Sequence, residues 1–80
     1  MAGTGEGMRV RIFLKQPFFT LPGYIPKGAI VLEGTLEAEK QIGWQVSVDA
    51  WFNDAGVRVE GASQRLIIPT AKIDHALVLG

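Results

Sequence analysis

The sequence contains one histidine, His75, and it follows Asp74, the only place where an imidazole and a carboxylate adjoin. General acid–base work needs two such groups within hydrogen-bond reach of one another. In a regular strand, consecutive side chains point to opposite faces, so Asp74 and His75 are expected to lie apart. His75 is in step with Ile73, Leu77 and Leu79 and is expected to be a partly buried, hydrogen-bonded core histidine. There is no cysteine, no nucleophile beside a base, and no glycine-rich loop opening a helix. The chain therefore reads as non-enzymatic, with no cofactor and no metal. Glu33, Glu37 and Glu39 share one strand parity and could interest a hard cation, but such a row is expected to be solvated and to guard a strand against unwanted pairing.

Two further groupings suit binding. Arg9, Arg11, Phe13 and Lys15 alternate onto one face, a cationic row with an aromatic ring in it, which is the combination single-stranded nucleic acid favours; Lys72 is the cation that would extend it. The segment from Gln16 to Gly28 is apolar although three prolines keep it out of any central strand. Its Phe18, Phe19, Tyr24 and Ile25, with Trp51 and Arg58, form the expected interface with a partner, because aromatic and arginine side chains are the usual anchors of interfaces.

The elements that must position these residues are strands. Met8 to Lys15 alternates with Val10, Ile12 and Leu14 inward. Ala29 to Glu39 alternates with Ile30, Leu32, Leu36 and Ala38 inward, and Gly34 marks a bend. Trp44 to Phe52 is expected to place Trp44, Val46, Val48, Ala50 and Phe52 inside and Trp51 outside. Asn53-Asp54-Ala55-Gly56 is turn chemistry. If Phe52 lies opposite Val57, Ala50 meets Val59 inside and Trp51 meets Arg58 outside; this register also sets Asp49 against Glu60, a like-charge pair that argues against it unless a bulge intervenes. Gln64 to Ile68 and Ile73 to Leu79 are the last strands, joined by Pro69 to Lys72, a step suited to one 3₁₀ turn.

Residues 1–7 are expected to form a flexible tail and residues 8–80 one small all-β domain. Eighty residues give a thin core, and without disulfides or a metal the remaining support is self-association. Eight basic groups balance eight acidic ones, which is not the excess of a general polyanion binder. The charge is uneven: four basic groups stand against one acidic in residues 1–29, and four against seven in residues 30–80. No apolar run is long enough to span a bilayer as a helix, and no basic region followed by an apolar stretch forms a signal peptide; the expectation is a cytoplasmic protein.

Val31-Leu32-Glu33-Gly34-Thr35-Leu36 and Leu66-Ile67-Ile68-Pro69-Thr70-Ala71-Lys72-Ile73, a bent glycine strand and a strand–3₁₀–strand ending, resemble SH3-like small barrels and the Sm-like group in particular, over residues 29–79. The resemblance implies a twisted barrel of five to six antiparallel strands with one 3₁₀ turn before the last. It also implies rings built by edge pairing of the last two strands, with RNA at the pore. The family's Asp-x-x-Met-Asn stretch is replaced here by Glu37-Ala38-Glu39-Lys40-Gln41, its Arg-Gly step by Gln64-Arg65-Leu66, and the Tyr-Lys-His of its bacterial members is absent. Fold likeness alone does not carry RNA binding across. The leading expectation is thus a homo-oligomeric assembly or adaptor barrel. The alternatives are an Sm-like single-stranded RNA binder using Arg9, Arg11, Phe13, Lys15 and Lys72, and a small-molecule binder with a pocket between Trp51 and the apolar loop.

Overall fold

The computed structural model describes residues 7–17, 26 and 28–80. The strands are β1 (Met8–Leu14), β2 (Val31–Lys40), β3 (Gly43–Phe52), β4 (Arg58–Val59), β5 (Gln64–Ile68) and β6 (Ile73–Val78), and a 3₁₀ turn, Thr70–Lys72, separates the last two. All strand pairs are antiparallel, in the order β4-β3-β2-β1-β6, with β5 beside the first half of β3. The fold is all-β, as the two-residue alternation requires. Among the described residues no helix is long and apolar enough to cross a membrane. Residues 1–6 of the expected tail (residues 1–7) and the loop residues Phe18, Phe19, Tyr24 and Ile25 lie outside the described residues, while the Gly7 N–H already bonds the Leu36 carbonyl at 2.9 Å.

One face of the sheet encloses the core. Val10, Ile12 and Leu14 of β1, Leu32 and Leu36 of β2, Val46 and Val48 of β3 and Ile68 of β5 are all buried in it. Gly34 lies among them for a reason of space: a Cβ there would stand 2.8 Å from both the Ser47 carbonyl carbon and the Val48 Cα. Only glycine lets β2 and β3 approach so closely at that point.

Three of the ladders' links are irregular, and each irregularity inserts one carboxylate residue. Glu33 pairs with Ala50 but Gly34 with Val48, so Asp49 is the extra residue in β3; Leu36 pairs with Val46 but Ala38 with Gln45, so Glu37 is extra in β2. On the other side, Phe13 pairs with His75 but Leu14 with Ile73, so Asp74 is extra in β6. A β-bulge of this kind bends the strand and resets which face the following side chains take.

The bulge at Asp49 corrects the expected parity of the end of β3. Trp51 pairs with Val59 and Leu32 and is 1% exposed, whereas Phe52 pairs with Arg58 on the outer face. The register through Val57 is therefore one residue out, and Val57 is exposed in the turn. Trp51 does not stand on the surface as an anchor for a partner. Its indole Nε1–H donates to the Ala62 carbonyl at 3.1 Å, and it packs so close to residue 61 that a Cβ there would sit 2.8 Å from its Cδ1. It is the clamp that holds the β4–β5 link to the core.

Candidate functional site

The outer face of β1, β2 and β3 carries the cationic row expected from the sequence, but its arginines are neutralised. Arg9 donates two hydrogen bonds to Asp49, at 2.6 and 3.2 Å; this bonding raises the guanidinium pKa above its ordinary value, against the opposing effect of desolvation. Arg11 lies directly opposite Glu33 in the ladder and donates to its carboxylate through Nε at 2.6 Å and through the neighbouring guanidinium nitrogen. Its guanidinium also sits 5.3 Å from the centroid of the Phe52 ring, a cation–π distance. Glu37, the second bulge residue, accepts from Arg65 at 2.9 Å and from Gln45 at 3.0 Å. Glu33 and Glu37 are thus bonded members of the face and do not form the solvated row expected, while Glu39 is exposed at the end of β2. Lys15 and Lys72 are exposed neighbours, joined by a backbone bond from the Lys15 N–H to the Lys72 carbonyl at 2.9 Å.

At the end of the sheet where β1 finishes and β6 begins, the bulge at Asp74 overturns two expectations at once. His75 faces outward with a side chain 55% exposed, and its Nδ1 lies 2.7 Å from Asp74 Oδ2. Regular alternation would have separated the pair; the inserted residue brings them together. His75 also stacks on Phe13, with centroids 4.3 Å apart and the rings inclined by 9°. Ile73 and Ala76, not His75, supply the core-facing side chains of β6. Among the described residues no three of His, Asp and Glu gather to hold a metal ion.

The strand edges are a third feature. Among the described residues β5 pairs only with β3, and β6 only with β1, so each leaves one row of backbone groups open. On these two strands and the residue after them, Ile67, Leu77, Val78 and Leu79 are exposed. Arg58 is exposed opposite Phe52, on β4, which borders β3 on the same side as β5. Of the expected interface residues, then, Trp51 is buried, Arg58 stands alone on the short β4, and Phe18, Phe19, Tyr24 and Ile25 fall outside the described residues. The apolar end of β6 was visible in the sequence as Ala76-Leu77-Val78-Leu79, a run without polar alternation.

Comparison with protein-family models, with curated proteins and with solved structures finds no match to this chain.

Proposed function

We propose that the chain is a non-enzymatic assembly module, an SH3-like barrel of the Sm-like kind that joins copies of itself through the edges of β5 and β6. The observation that carries this reading is the edge of β6 that no described residue pairs with, along which Leu77, Val78 and Leu79 are exposed. An uncovered apolar strand edge is a template for another strand, and monomers ordinarily blunt theirs with charge, proline or a covering loop. β5 supplies a second edge with Ile67 exposed, so one copy offers two different surfaces, the arrangement that closes into a ring by head-to-tail contacts. A core of this size also gains from burying more apolar surface.

The single-stranded RNA reading draws less support from the geometry. Arg9 and Arg11 are held by Asp49 and Glu33, and Phe13 is already stacked on His75. Lys15 and Lys72 are what remains of that cationic row.

The test is solution mass by light scattering. The expected result is a closed oligomer that falls to the monomer mass when Leu77→Lys and Ile67→Lys are combined, with far-UV circular dichroism unchanged. Both side chains are exposed, so the double variant keeps its core. A wild-type chain that is monomeric at all concentrations overturns the reading.

A further inference from the structure

A groove of about 290 Å³ opens at the end of the sheet where β1 finishes, β2 begins, β3 enters its turn and β6 starts. Its apolar side is made by Leu14, Ile30 and Val31, and the stacked rings of Phe13 and His75 border it. Two carboxylates, Asp54 and Asp74, stand among its lining residues, and among the described residues no lysine or arginine lines it. Asp54 makes no hydrogen bond or ion pair with any described residue. Its neighbour Asn53 is committed to the turn, accepting from the backbone N–H groups of Ala55 and Val57 at 2.9 and 3.0 Å.

We infer that this groove takes an organic cation with an apolar stem, such as a lysine or arginine side chain or a free alkylammonium. The proposal goes beyond the assembly reading and does not depend on it. Each part of the lining selects one property of that ligand. The Leu14, Ile30 and Val31 side accepts the stem. The aromatic border attracts a cation through the negative face of its rings. Asp54 and Asp74 add charge of the right sign and disfavour any anion. His75 Nδ1 is engaged by Asp74 at 2.7 Å, so Nε2 is the ring nitrogen left to meet a ligand. The bulge that inserts Asp74 is what brings its carboxylate to His75, so the irregularity in β6 and the lining of the groove have one origin.

The experiment is an amide-shift titration of the ¹⁵N-labelled chain with four probes: N-acetyl-lysine methylamide, N-acetyl-arginine methylamide, butylammonium and the uncharged N-acetyl-norleucine methylamide. The expected result is saturable shifts at Phe13, Asp54, Asp74 and His75 with the cations and none with norleucine, weakened about threefold by Asp54→Asn, as loss of one surface charge interaction gives, and weakened by added salt. Asp54 is an exposed turn residue, so that variant stays folded. Tighter binding of the amino-acid amides than of butylammonium assigns the ligand to a polypeptide; equal binding assigns it to a free small cation. The inference is overturned if norleucine binds as well as lysine, if Asp54→Asn leaves the affinity unchanged, or if the shifts fall elsewhere on the sheet.

Discussion

The β1–β2 ladder and the β2–β3 ladder share a strand and differ in one respect. The first runs from Met8↔Leu36 to Phe13↔Val31 without a break, and the second shifts twice, at Asp49 and at Glu37. In the unbroken ladder the alternation of residue types is the alternation of burial: Val10, Ile12 and Leu14 are inside, and Arg9, Arg11 and Phe13 are not. In the broken one the same rule holds up to Val48 and then inverts, so that Trp51 is inside and Phe52 outside. Side-chain period is a property of a ladder, and one extra residue reverses it for everything that follows.

That contrast can be broken most severely by removing the insertion. Deleting Asp49 from β3 would return Trp51 to the outer face and Phe52 to the core, and the expected result is loss of the cooperative unfolding transition in urea. Deleting an exposed turn residue such as Ala55 serves as the control and leaves a measurable transition. A deletion of Asp49 that unfolds at the wild-type midpoint would show that the bulge is not what orients Trp51. A smaller loss follows from truncating the clamp itself: Trp51→Ala should cost about 3–5 kcal/mol by denaturant titration, the range for a fully buried aromatic, while Phe52→Ala, on the outer face, should cost clearly less. The smallest effects separate two ion pairs. Glu33, whose side chain is 16% exposed, bonds Arg11 over Ala50 and Phe52, so Glu33→Gln should cost about 1–2 kcal/mol. Asp49 meets Arg9 at an exposed site, and Asp49→Asn, which keeps the inserted residue, should cost below about 1 kcal/mol. Equal costs for the two would mean that burial does not set the strength of these pairs.

Much of the architecture was legible in the sequence. The strands, the turn at Asn53 to Gly56, the 3₁₀ step after Pro69 and the special position of Gly34 all follow from residue type and spacing. The places where the reading failed share a physical cause. A bulge leaves no mark in a hydrophobic pattern when the residues beyond it are apolar on both parities, and Ala50-Trp51-Phe52 and Ala76-Leu77-Val78-Leu79 are of that kind. One warning was present: the regular register set Asp49 against Glu60, a like-charge pair, and the structure avoids it by pairing β3 with β4 one residue further on, Phe52 with Arg58 and Trp51 with Val59. For His75 there was no comparable sign. Its pairing with Asp74 exists only because the strand departs from regularity between Phe13 and Leu14 of its partner.

The pairing of β1 with β6 also sets an order in time. Val10 lies against Val78, so the strand made first is completed by the strand made last, with most of the chain between them. As the polypeptide leaves the ribosome, β1 can dock on β2 early, yet its other edge stays open until β6 emerges. Contacts so distant in sequence form slowly, and an apolar strand waiting with one side uncovered is vulnerable to the same strand of a neighbouring nascent chain.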